Sequence, residues 1–176
     1  MSTSVLDSLN KHFRQISAKK GEILLKPGDV QRDLYFVRKG VQMSYYDTDS
    51  KLYVMAFTYP PGLCADPRSF TKQVSSECFI ECLTDSEFDV VSYDQLQSLF
   101  EENQALETHF RKMTEDLLSG VIQRHVELAT LSIEERFTLF CKRSPHLLHL
   151  VPHKYIASYL NINSTNFSKL YNSIKI

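Results

Sequence analysis

Near the end of the chain, Ser164, Thr165, Asn166, Ser168, Lys169 and Asn172 fall on one side of a helical period, with Phe167, Leu170 and Ile174 on the other. Short hydroxyls and amides with one cation are the groups that hydrogen-bond base edges and phosphate oxygens. Just upstream, Ile156, Ala157, Leu160 and Ile162 have the spacing of a helix-turn-helix. Small Ala157 allows a close helix crossing, and Leu160 and Ile162 plug the corner. Asn161 sits where the turn wants a residue tolerant of positive φ, and Asn163 can cap the second helix. Two readings stand: a DNA-reading pair of helices, or a plain helical hairpin with a solvated face. Agreement at each position favours the first.

Other chemistries find fewer residues. Residues 13–108 contain no His, which leaves a metal-dependent enzyme without its usual ligands. His146, His149 and His153 gather around a loop but lack Cys or Glu companions at ligand spacing, so no metal site is expected. Cys64, Cys78, Cys82 and Cys141 include no CxxC pair and no run suited to an iron–sulfur cluster. They read as structural thiols, with Cys64 in a loop as the one candidate for redox sensing. No GxSxG, phosphate-binding loop or paired catalytic carboxylates occur, so no catalytic residue is named.

The elements that must position the polar face come in four stretches. Residues 4–16 place Val5, Leu6, Leu9, Phe13 and Ile16 at helical spacing behind a possible Ser4 cap, which predicts a short helix. Residues 21–93 alternate Val-, Ile-, Tyr- and Phe-rich runs with turns such as Pro27-Gly28-Asp29, Asp47-Thr48-Asp49-Ser50 and Pro60-Pro61-Gly62. Turns at such short intervals predict an all-β sandwich or barrel.

Residues 94–131 become helical, first in YDQLQSLFEENQAL and then from about Leu106. Phe110, Met113, Leu117, Val121, Leu128 and Leu131 form an apolar stripe, interrupted at Arg124. Such a helix, about 38 Å long at 1.5 Å per residue, is either an ordinary core helix or a dimer seam. Beyond it, Ser132 with Glu135 makes a capping box, Ser144-Pro145 ends that helix, and Pro152 is expected at the first position of the next.

The 176 residues (20.4 kDa) carry a formal charge of −1, which excludes a globally basic nucleic-acid binder and an acidic disordered tail. The balance is uneven. Residues 1–132 hold 14 basic and 19 acidic side chains, and residues 133–176 hold 6 basic and 2 acidic. A small basic end on an acidic body fits a C-terminus facing an anion, although a window of this size also fluctuates by chance. No apolar run nears the roughly 18 residues of a membrane span, and no signal peptide is evident. With no disulfide pattern, a cytoplasmic setting is expected.

Leu25-Lys26-Pro27-Gly28-Asp29 followed by Leu34-Tyr35-Phe36-Val37-Arg38-Lys39-Gly40 resembles the cyclic-nucleotide-binding β-roll. With a long helix and a terminal helix-turn-helix after it, the order resembles the Crp/Fnr family of bacterial transcription regulators over essentially the whole chain. The resemblance implies an α+β protein with an N-terminal β-roll (double-stranded β-helix, jelly-roll-like), a long dimerisation helix and an all-α helix-turn-helix. The corresponding domains are a sensor over 1–105, a dimerisation helix over 106–131 and a DNA-binding domain over 132–176. It further implies a homodimer joined at Phe110, Met113, Leu117, Val121 and Leu128, with double-stranded DNA as partner and no membrane.

The effector region departs from that family. Cyclic-AMP-binding members carry Gly-Glu in the loop after the Pro-Gly turn, and Arg followed by Ser or Thr at the next strand to grip the cyclic phosphate. Here Ala65-Asp66 stands nearest to Gly-Glu, and Ser76-Glu77 falls where the phosphate grip belongs. A carboxylate there repels a phosphodiester, and the missing guanidinium removes the bidentate grip. Arg68-Ser69 matches the absent pair by type but comes too early in the chain. The effector pocket expected at Asp66, Arg68, Ser69, Ser76 and Glu77 is therefore unsuited to cyclic AMP, with another small-molecule effector left open and no cofactor implied. The alternative to a DNA-binding regulator is an interaction module whose roll binds a protein partner or small ligand.

Overall fold

A computed structural model describes residues 9–49 and 51–173. Among the described residues, a helical turn at 9–10 precedes eight strands: β1 (Arg14–Ala18), β2 (Ile23–Leu25), β3 (Asp33–Lys39), β4 (Gln42–Thr48), β5 (Lys51–Thr58), β6 (Leu63–Cys64), β7 (Phe79–Cys82) and β8 (Ser86–Ser92), with α1 (Pro67–Lys72) between β6 and β7. The rest is helical: α2 (Tyr93–Glu102), α3 (Gln104–Thr130), α4 (Ile133–Arg143), α5 (Leu147–Leu150), α6 (His153–Leu160) and α7 (Ser164–Ser173). The strands form two antiparallel sheets, ordered β1-β8-β3-β6 and β2-β7-β4-β5.

Period-two alternation gives the central strands β4 and β8 a core on both faces. Val37, Phe88 and Val90 meet Leu25, Ile80 and Cys82 between the sheets. One residue on from Val90, Val91 points the other way, into a second cluster with Leu34, Leu96, Leu99 and Leu106, so α2 and the start of α3 cover the first sheet. The outer face of the second sheet offers Met43, Tyr45 and Val54, and these join Phe137, Phe140, Ile156, Leu160 and Phe167 in a third cluster. The C-terminal helices thus share a core with the sheet. Gly40 makes the β3–β4 turn possible, at φ +94° with the Asp85 carbonyl and the Ser86 side chain against the place a Cβ would take.

Two local expectations are corrected. The helix expected over 4–16 ends early: Leu9 and Asn10 are helical, but β1 takes over from Arg14, where Ile16 pairs with Phe88 on β8. Ser4, Val5 and Leu6 lie outside the described residues, as do Ser50 and Ile174. Pro152 caps α6 from outside, at ψ 130°, and does not occupy its first turn.

Along α3, Phe110 turns inward, its ring 5.1 Å from Phe100 and 6.2 Å from Phe36. Met113, Leu128 and Leu131 are half-buried. Leu117, Leu118, Val121, Ile122 and Val126 are 45–59% exposed, a wider apolar face than the sequence stripe.

Candidate nucleic-acid interface

The C-terminal segment is built from α4 upward. The Ser132 hydroxyl accepts from Glu135 N–H at 3.3 Å while the Glu135 carboxylate accepts from Ser132 N–H at 2.8 Å, closing the capping box. Ser144 then ends α4 before Pro145. On α6, Ile156, Ala157 and Leu160 are at most 3% exposed and face the shared core.

Asn161 adopts φ 52°, ψ 49°, the left-handed conformation, and Ile162 N–H reaches back to the Ala157 carbonyl at 2.9 Å. Three residues, 161–163, connect α6 to α7. Asn163 Oδ1 then accepts from Asn166 N–H at 2.8 Å, capping α7. Phe167 faces the core at 1% exposure, with its ring 5.2 Å from Phe137, and Leu170 is half-buried. Opposite them, Ser164, Thr165, Ser168, Lys169 and Asn172 are exposed and Asn166 is half-buried. Ser164, Thr165, Ser168, Lys169 and Asn172 share one outward face, with Asn166 at its margin.

Two consecutive residues of α6 attach this unit to the rest of the chain. The Ser158 hydroxyl bonds the backbone of β5, and the Tyr159 ring lies between Phe57 of β5 (5.2 Å) and Phe140 of α4 (5.9 Å). The Arg124 guanidinium stacks 3.5 Å over the Tyr159 ring and donates to the Tyr159 carbonyl. Arg124, read from sequence as a flaw in the α3 stripe, is therefore a contact between α3 and α6. Beside it, Arg143 donates twice to Glu127, at 3.0 and 2.7 Å, and Gln123 once at 3.3 Å. Burial alone would raise the Glu127 carboxyl, but the bonds from Arg143 and Gln123 outweigh it and hold it below its ordinary value. No sequence signal pointed to Ser158, Tyr159 or this pair, because their partners lie far along the chain.

The expected effector residues come together around α1. Asp66 caps that helix through Arg68 N–H (3.0 Å) and Ser69 N–H (3.3 Å), and its other oxygen accepts from the Ser76 hydroxyl at 2.8 Å. Ser69 and Ser76 are buried at 0% and 3% exposure. Arg68 and Glu77 form an ion pair at the surface. The nine-residue separation that makes Arg68 early in the chain is folded back by α1.

Cys64 lies on β6 paired with Tyr35, and not in a loop; burial pushes its thiol up to about 12, away from the reactive thiolate. His146 packs edge-on against Tyr59 at 4.5 Å while His153 packs against Tyr171 at 4.3 Å. Among the described residues, no three His, Cys, Asp or Glu side chains gather as metal ligands, and no helix is long and apolar enough to cross a membrane.

No family model matches the chain, and no curated protein matches it in sequence. Solved structures do. FixK2 from Bradyrhizobium japonicum superposes with a TM-score of 0.79 at 16% identity, over 92% of this chain and 83% of that one. A Crp/Fnr-family regulator from Eubacterium rectale gives 0.72 at 14%, over 98% and 83%. The c-di-GMP-responsive regulator CLP from Xanthomonas campestris gives 0.68 at 16%, over 98% and 91%. Two antiparallel sheets, a long helix and a closing pair of short helices, in this order and arrangement, give this chain the fold of the Crp/Fnr family of transcription regulators.

Proposed function

We propose that the protein is a DNA-binding transcription regulator of Crp/Fnr type, not an enzyme, working in the cytoplasm as a homodimer. In this reading α6 and α7 are a helix-turn-helix, and Ser164, Thr165, Asn166, Ser168, Lys169 and Asn172 read duplex DNA. The observation that carries it is the left-handed Asn161 between two helices, followed by a capped α7 whose polar face is turned to solvent.

Residues 1–105, which contain the double sheet, are the sensor, 106–131 the dimerisation helix, and 132–176 the DNA-binding domain. The exposed apolar face of α3, from Leu117 to Val126, supports pairing with a second copy: contiguous apolar surface on a soluble helix is most economically covered by its own symmetry mate. The effector site at Asp66, Arg68, Ser69, Ser76 and Glu77 does not suit cyclic AMP, since a carboxylate stands at the place of the phosphate grip.

Binding of the purified chain to duplex DNA at several salt concentrations tests the reading. Contacts to phosphates release counterions, so log affinity should fall linearly with log salt, at roughly −0.9 per phosphate contact. Absence of salt-dependent binding to any duplex would favour an interaction module that never touches DNA.

A further inference from the structure

α6 carries no basic residue in its last turn, although the carbonyl end of a helix bears partial negative charge and lacks intrahelical partners. Two of its end carbonyls, those of Ala157 and Ser158, receive the N–H groups of Asn161 and Ile162. The next, of Tyr159, receives the Arg124 guanidinium from α3. A cation that helices commonly hold in their own last turn is thus brought to α6 by another helix.

Arg124 is out of character for its surroundings. Along α3, Val121, Ile122 and Val126 are apolar and exposed, whereas this cation is half-buried. Burial pulls the guanidinium below its ordinary value, against contacts with Tyr159 that favour the charged form. Glu127, whose charge also acts on it, is already bonded by Arg143 and Gln123. Compensation for the burial therefore comes from Tyr159: its carbonyl accepts, and its ring centre lies 3.5 Å from the guanidinium carbon. Among the described residues, the other hydrogen bonds between α3 and the C-terminal helices go to α4, from Arg143 to Glu127 and from Arg136 to the Leu128 carbonyl. Arg124 reaches past α4 to the residue two before the left-handed Asn161.

We infer that Arg124 is a positioning residue, which closes the carbonyl end of α6 from α3 and so fixes the α6–α7 corner to the long helix. The inference rests on the proposed reading of α6 and α7 as the DNA reader and of α3 as the dimer helix. In that reading the spacing of two readers is set at the seam and passed to each corner through this side chain.

The test is backbone amide hydrogen exchange of the full chain without DNA, followed by binding to palindromes of varied spacing. Arg124→Met keeps an apolar contact with the Tyr159 ring but removes the charge, and Arg124→Lys keeps a cation. In Arg124→Met the Asn161 and Ile162 amides should exchange about tenfold faster, with the amides of β3 and β8 unchanged. Arg124→Lys should lie between the two, since an ammonium supplies the charge but not the flat stack. The unmutated protein should prefer half-site centres about 34–36 Å apart to spacings altered by about two base pairs, and Arg124→Met should weaken that preference at least about threefold. Methionine as protective as arginine, lysine no better than methionine, or an unaltered spacing preference in Arg124→Met would overturn the inference. An unmutated protein that binds no duplex would instead sink the reading of α6 and α7 as a DNA reader, and exchange would still decide the role of Arg124.

Discussion

The Ser158 hydroxyl takes the place of a neighbouring strand at the free edge of β5, accepting from Val54 N–H at 3.0 Å and donating to the Leu52 carbonyl at 2.8 Å. β5 ends its sheet, and an unpaired edge is costly where it is covered by protein. One side chain of α6 thus satisfies the strand and fixes the C-terminal helices to it.

Removing that hydroxyl leaves the Val54 N–H without its partner under a packed helix. Ser158→Ala should destabilise the protein by about 1–2 kcal/mol, read as a lower urea midpoint at unchanged slope. An unchanged midpoint would mean that α6 is held by apolar packing alone.

The long helix makes a second prediction. Leu117 and Val121 are 56% and 57% exposed, beside Leu118, Ile122 and Val126. Replacing Leu117 and Val121 together by charged residues should turn a dimer into monomers in sedimentation, with the melting of the double sheet little altered. An unmutated protein that sediments as a monomer at micromolar concentration would refute the seam.

Glu127 gives a dependence on pH. Its carboxyl is held below the ordinary 4.5 in the folded chain, so the unfolded chain binds the proton more readily. The stabilisation is therefore present above about pH 4.5 and is lost as pH falls through the lower, folded value. Against Glu127→Gln, the unmutated protein should melt higher at pH 7, and the gap should shrink only below pH 4.5. A gap that widens on acidification would contradict the assignment to Arg143 and Gln123.

Lys169 supplies the positive charge on the outer face of α7, and its two possible roles differ in signature. As a phosphate contact, Lys169→Ala weakens all sequences alike and lowers the salt slope by about 1 per subunit. As a base contact, it relaxes one position of the site at a cost of about 1–3 kcal/mol. Binding across a set of single-base variants separates the two, and no effect of either kind would exclude this helix as the reader.

Legibility in the sequence followed the range of the interactions. Asn161, Asn163 and the Ser132–Glu135 box act within four residues, and each does in the structure what its type and spacing implied. The strand runs were visible because alternation and turn residues are local too. What spacing misjudged was decided at a distance. Ile16 has helical neighbours in sequence but a strand partner, Phe88, 72 residues on. Arg124 reads as a defect until Tyr159 comes under it. Arg68 and Glu77 looked mismatched in position until the turn of α1 brought them together. The fold was therefore legible in outline, whereas the contacts joining its parts, and with them the arrangement around α1, depend on pairs with no linear signature.

The most direct measurement is selection of duplex DNA from a random pool by the purified protein. Two reader helices related by a dimer axis should enrich a near-palindrome with half-site centres about 34–36 Å apart, the spacing general to helix-turn-helix dimers. Adenine should recur where Asn166 can pair with its edge. Enrichment of that palindrome, lost when the outer face of α7 is replaced by alanine, is the predicted result. A pool that stays unenriched at low salt, with the protein folded and dimeric, would contradict the account.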